Sequence, residues 1–171
     1  MISNLPSASE YNEYYKRYID LAHGDSVIDV LQEGLLDTMG FFKSIPEEKH
    51  EYRYQPGKWT PKEIVSHVID TERVFSYRAL QFARAEKVVL QGFDQDEFAK
   101  NAHANTRSME QLLDEFQAVR AATIQFAKSC SEETLLRNGV ASNSPLSVRA
   151  ALFIIAGHEI HHRVIIEERY L

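Results

Sequence analysis

TPKEIVSHVIDTERVFSYRALQFAR, residues 60–84, decides the fold class. It opens on Thr60-Pro61-Lys62-Glu63, a capping box. The threonine hydroxyl serves the amide three residues on, and the glutamate returns to the amide of the cap. Pro61 takes the first helical position, where its missing N–H has no partner to lose. Behind it Ile64, His67, Thr71, Val74, Phe75, Arg78 and Phe82 recur at three- and four-residue spacing, the period of one helix face. A helix of that order spans about 30 Å, the length of a bundle member.

The rest of the chain reads outward from this helix. Upstream, residues 9–21 form a short amphipathic piece that ends at His23-Gly24. Asp25 can cap a second block reaching Lys43, with Ile28, Leu31, Leu35, Met39 and Phe42 as its stripe. Residues 44–59 break the pattern. Downstream, residues 90–107 are a long polar connection with a short helix expected around residues 94–101. Ser108-Met109-Glu110-Gln111 is a second capping box. It opens a helix bearing Leu112, Phe116, Val119, Thr123 and Phe126 that stops near residues 129–131. Asn143-Ser144-Pro145 marks another break. Ser147 can cap a last helix over residues 148–168, with Val148, Leu152, Ile155, His158, His162 and Ile165 as its inward stripe. No segment shows sustained period-two alternation, so no sheet is expected. The reading is all-α: a four-helix bundle with short accessory helices, in one domain over residues 1–171.

Composition narrows the function classes. The chain has 171 residues, 44% apolar and 26% charged, with a formal net charge of −6. A nucleic-acid surface would normally bring a basic excess, and there is none. No stretch approaches the 18 or so apolar residues of a membrane span, and the polar N-terminus has no signal-peptide pattern. The single cysteine, Cys130, cannot form an internal disulfide, in keeping with a reducing cytoplasm. It reads first as a small packing residue near a helix end, and second as a reactive thiol.

Near the C-terminus, HEIHH (His158, Glu159, Ile160, His161, His162) places three histidines within an apolar stretch. His158 and His162 are four apart, so they share one helix face. Burying two imidazoles among Leu and Ile is costly unless their nitrogens are satisfied. A metal would satisfy both, and His67 on the inward face of its own helix is a third candidate ligand. Three histidines from two helices would leave a coordination position open, as catalytic sites do. The competing reading is of histidines satisfied in the core or at the surface, and spacing alone leaves both standing. His161 lies about 100° round the helix from His162 and points to a flank. His23, His50 and His103 lie in polar connections and read as solvated. HEIHH also matches the H-E-x-x-H zinc-protease pattern. Only nine residues follow His162, and they continue the same helix, so no downstream third ligand is available. Glu159 then reads as a surface carboxylate or one supporting a ligand.

Taken together, residues 53–84, QGFDQDEFAKNA (residues 91–102) and AGHEIHHRVIIEERYL (residues 156–171) resemble the DinB-like (DinB/YfiT) superfamily. The likeness runs over roughly residues 10–171. It implies a four-helix bundle in up-down-down-up order, with the connection after Arg84 as a crossover. It also implies a divalent metal, zinc or nickel, on one histidine of the second helix and two of the last: His67, His158 and His162. Characterised members use low-molecular-weight thiols in S-transfer, a related branch is a mycothiol-dependent isomerase, and others are described as hydrolases. The expectation is therefore a cytoplasmic, metal-dependent thiol S-transferase acting on a small-molecule electrophile, with pairing into homodimers and no nucleic-acid or membrane partner. A non-catalytic metal-binding stress-response bundle and a metal-dependent hydrolase are the alternatives. Asp70 could support a ligand or pair with Arg73. Trp59 reads as a packing anchor. Tyr77 and Arg78 either line a cavity or bridge helices.

Overall fold

The computed structural model describes residues 5–24 and 26–171. Helices α1 (Lys16–Ile19), α2 (Val27–Ser44), α3 (Pro61–Arg84), α4 (Gln95–Asn101), α5 (Met109–Lys128), α6 (Glu132–Leu136) and α7 (Val148–Arg169) follow in order. The sequence-read caps form as the residue types dictate. Thr60 Oγ1 accepts from the Glu63 amide at 3.1 Å while Glu63 Oε2 accepts from the Thr60 amide at 2.7 Å. Ser108 and Gln111 repeat the exchange at 3.1 and 3.0 Å, and Ser147 Oγ accepts from the Ala150 amide. Ser26 caps α2 through the Asp29 amide; Asp25, expected in that role, lies outside the described residues. The expected helix over residues 9–21 is broken up. Tyr11 is extended, with φ −153°, and Asn12 accepts from the Tyr14 amide. The chain therefore makes two 3₁₀ turns, Ala8–Glu10 and Glu13–Tyr15, before α1.

Contacts between the long helices give their directions. Arg73 and Ser76 of α3 meet Glu115 and Thr123 of α5 in ascending order, so these neighbours are parallel. His67 meets His158 and His162, while Trp59 reaches Tyr170; α3 and α7 are antiparallel. Gly34 and Asp37 of α2 approach Glu159 and Arg163 of α7 in ascending order, so α2 runs parallel to α7. The order is up-down-down-up, with α2 beside α5 and α7, and α3 beside α5 and α7. Parallel neighbours cannot be joined by a tight turn, so the chain from α3 to α5 needs the long crossover that carries α4.

A small three-stranded sheet corrects the expectation of none. Strand β1 (Val89–Leu90) pairs parallel with β2 (Asn138–Ala141), which pairs antiparallel with β3 (Ser144–Ser147). Strands of two and four residues are too short to display an alternation. Ser142 and Asn143 both take positive φ, 52° and 61°, the geometry of a two-residue hairpin turn. Pro145 stands on β3, an edge strand, where its missing N–H is tolerated.

The core forms two apolar clusters. One gathers Leu31, Phe75, Phe82 and Leu152, and the other Phe42, Ile69, Phe116 and Ile166. Between them runs a buried polar layer: His67 and Glu72 on α3, Arg120 on α5, His158 and Glu159 on α7. Two glycines allow the close approaches that this layer requires. A Cβ on Gly157 would lie 1.8 Å from the Tyr18 carbonyl oxygen, and one on Gly34 would lie 1.9 Å from Glu159 Oε1. Among the described residues no helix is long and apolar enough to cross a membrane.

Candidate metal centre

His67 projects from the second turn of α3, and His158 and His162 project one turn apart from α7. Their Nε2 atoms converge: His67 to His158 at 3.0 Å and His162 to His158 at 3.1 Å. Among the described residues these three alone form a set of metal-binding side chains, with one nitrogen from each within 4.8 Å of the others. His67 and His158 are buried, and His162 is partly buried with its Nδ1 enclosed and unpartnered. Burial pushes the His67 pKa down to about 4. Burial, then the neighbouring histidines, depress His158 and His162 well below the ordinary range. The three are neutral at pH 7, each with a lone pair to offer.

Aromatic rings brace the imidazoles. The Trp59 ring centroid lies 4.6 Å from that of His67, and Tyr18 of α1 meets His158 edge-on at 5.2 Å. Trp59 therefore packs against a candidate ligand. His161 stays outside the converging set, 5.2 Å from Tyr18 and 5.3 Å from His162 between ring centroids. Two cavities flank the centre. One, about 190 Å³, opens beside His158 among Tyr14, Tyr15, Tyr18, Phe75 and Phe93. The other, about 370 Å³, opens beside His162 among Tyr54, Trp59, Ile64 and Tyr170. Adjacent residues of α4 border them, Gln95 the first and Asp96 the second.

Glu159 is neither at the surface nor free: it is 1% exposed and bound to Arg120. Arg120 Nη1 and Nη2 donate to the two Glu159 oxygens at 3.1 and 2.8 Å. Nε and Nη2 donate to Glu72 at 2.9 Å, and Nη1 also reaches the Leu31 carbonyl. Burial raises the Glu159 pKa, against the pull of Arg120. Sequence reasoning missed Glu72 and Arg120. The signal was present, since Arg120 falls four after Phe116 and three before Thr123, inside the apolar stripe.

The remaining candidates lie apart from the histidines. Asp70 sits 3.5 Å from Arg73, which bonds Glu115 at 2.6 Å, so it belongs to the α3–α5 surface. Tyr77 is exposed, and Arg78 is buried with Nη2 donating to Gln91 O and Ser142 Oγ. Cys130 is half-buried, its thiol pushed up by burial. His23 and His103 are exposed; His50 instead contacts the Ile45 carbonyl at 3.0 Å.

An up-down-down-up bundle with a histidine triad in its polar layer defines a narrow class of helical protein. Residues 31–166 match the DinB superfamily, and the chain belongs to it. A search of curated proteins gives no match. Among solved structures, YfiT from Bacillus subtilis, described as a probable metal-dependent hydrolase with an unusual four-helix bundle topology, superposes with a TM-score of 0.76 at 17% identity. That match covers 97% of this chain and 91% of YfiT. The mycothiol-dependent maleylpyruvate isomerase superposes with a TM-score of 0.66 at 12% identity, over 81% of this chain and 58% of the enzyme. At these identities the likeness is one of fold.

The depressed histidines fix a pH dependence for the metal-free protein. Between pH 6.5 and about 4 an unfolded His67 binds a proton that the folded one refuses. Stability is full above pH 6.5, falls as pH drops through that window, and levels off for this group below it. His67 alone accounts for roughly 3 kcal/mol by linkage. Urea melts of chelator-treated protein at pH 7 and pH 4.5 check this, and equal midpoints would refute it.

Proposed function

We propose that this chain is a metal-dependent enzyme in which His67, His158 and His162 hold a divalent ion, zinc or nickel, and a low-molecular-weight thiol is transferred to a small electrophile. The observation that carries the reading is the meeting of three Nε2 atoms at one enclosed point. A neutral imidazole nitrogen has either one N–H or one in-plane lone pair, and each serves one partner. His158 Nε2 faces two such nitrogens, so hydrogen bonding cannot satisfy both contacts well. A cation takes all three lone pairs, and imidazole suits zinc and nickel.

When bound, such an ion supplies Lewis acidity that favours the ionised form of a thiol or water. The protein's part is to keep the three imidazoles neutral by burial and oriented by Trp59 and Tyr18. The two cavities, one on His158 and one on His162, favour a reaction between two bound molecules. In the net reaction sulfur bonds to the electrophilic carbon and the leaving group departs with its bonding pair. The thiol proton goes to that group or to water, so no redox partner is required. Hydrolysis is the second reading, supported by the likeness to YfiT over nearly its whole length. The test is metal-loaded protein incubated with low-molecular-weight thiols and a panel of small electrophiles, read by mass spectrometry. Thioether products absent from His67→Ala are expected. Ester or amide cleavage without thiol would shift the assignment to a hydrolase, and no turnover on either panel would leave a metal-binding bundle without catalysis.

A further inference from the structure

The cavity beside His158 has an electrostatic character of its own. Its aromatic walls include Tyr14, Tyr18, Phe75 and Phe93, and no Asp or Glu lines it. Two guanidiniums stand against those rings. Arg17 lies 3.9 Å from the Tyr14 ring centroid and 4.9 Å from that of Tyr18. Arg78 lies 4.8 Å from the Phe75 centroid and 5.8 Å from that of Phe93. Arg78 is 2% exposed and has no carboxylate partner among the described residues; Nη2 donates to Gln91 O and Ser142 Oγ. A buried charge is ordinarily paired. Ring faces meet part of that need, and the field of Arg78 reaches the cavity wall at Ser142.

Two hydroxyls at the cavity can carry that field to a ligand. Ser142 Oγ, at the rim, accepts from Arg78 at 3.0 Å, so its own proton is free to donate. Thr71 lines the same cavity, is 4% exposed, and its enclosed Oγ1 has no hydrogen-bond partner, so a turn about χ1 would bring an unspent hydroxyl to a ligand. At about 190 Å³ the space is comparable to the roughly 150 Å³ engineered cavity that binds benzene. The geometry points to a small carboxylate with a flat apolar body, benzoate-sized, as the class of substrate this cavity takes. Its carboxylate accepts from Thr71 and Ser142, and Arg78 supplies the charge behind them. As a statement about substrate this rests on the histidine centre being the reacting centre; as a statement about binding it does not.

The probe is benzoate against benzamide, its neutral near-isostere, titrated into as-purified and chelator-treated protein and followed by heteronuclear NMR. Metal content is measured separately, so the two readings fail independently. Benzoate is expected to bind roughly tenfold or more tighter than benzamide, the margin of a charge-assisted hydrogen bond. It should perturb Thr71 and the Tyr14 and Tyr18 rings with or without metal, and Arg78→Met should erase the preference. If Arg78→Met does not fold, the wild-type comparison decides alone. Equal binding of the two probes, or binding of neither, would overturn the proposal. So would perturbations confined to the histidines and lost on chelation, because the carboxylate would then be an adventitious metal ligand.

Discussion

Purified wild-type protein is expected to carry about one divalent metal ion per chain, and His67→Ala essentially none, by elemental analysis. The asymmetry lies in where the ligands stand. His158 and His162 come from successive turns of α7, while His67 alone reaches across from α3. Without it the remaining pair can hold an ion only as two ligands on one helix, short of the three that a catalytic zinc-type site keeps. Chelation should also lower the melting temperature of wild type and leave His67→Ala unmoved. An ion present at a thousandfold excess over its Kd contributes about 4 kcal/mol to the folded state. Equal metal in both proteins would assign the site to the C-terminal pair. An absence from both after zinc and nickel loading would return the three histidines to the core as packing residues.

Much of this arrangement was legible in the sequence because the helices announce their ends. The Thr60 and Ser108 capping boxes and the Ser147 cap are local chemistry, and local chemistry survives folding. The meeting of His67 with His158 and His162 was legible from stripes, since each stands on the face its helix turns inward. The stripe argument fails where a helix has no outer face. Over its first twelve residues α7 exposes little beyond Arg149, so Glu159, read as a surface carboxylate or one supporting a ligand, is enclosed. A helix apolar all round gives no angular signal, and only the partner on another helix explains the carboxylate. That partner, Arg120, is 39 residues away in sequence. The sheet failed for a different reason, because its strands are set by the approach of residues 89–90 to 138–141 and carry no pattern of their own. The N-terminal helix failed because Tyr11 turns extended and Asn12 caps the turn that follows, which leaves Tyr14, Tyr15 and Tyr18 on the second 3₁₀ turn and α1 as cavity wall.

Arg120→Met is expected to cost about 3–5 kcal/mol at pH 7, because it strands Glu72 and Glu159 together in the core without their cation. For a chain of this size that is roughly a 10 °C fall in melting temperature. The size of the loss should depend on pH. A stranded carboxylate has its folded pKa raised above the unfolded value, so its penalty is largest where the acid is ionised and disappears as pH falls. The histidines act alike in both proteins, so the gap between Arg120→Met and wild type should narrow as pH drops from 7 toward 5. Adding Glu72→Gln and Glu159→Gln should restore much of the loss at pH 7, since amides carry no charge to strand. A loss below about 1 kcal/mol for Arg120→Met would mean the trio is dispensable to the fold. The trio also bears on the histidines. Glu159 stands about 100° round α7 from His158, and its two bonds to Arg120 fix the rotation of that helix about its axis. A turn of α7 that relieved the stranded carboxylates would carry His158 and His162 away from His67. Arg120→Met, folded at low temperature, should thus bind metal more weakly than wild type although it touches none of the three ligands.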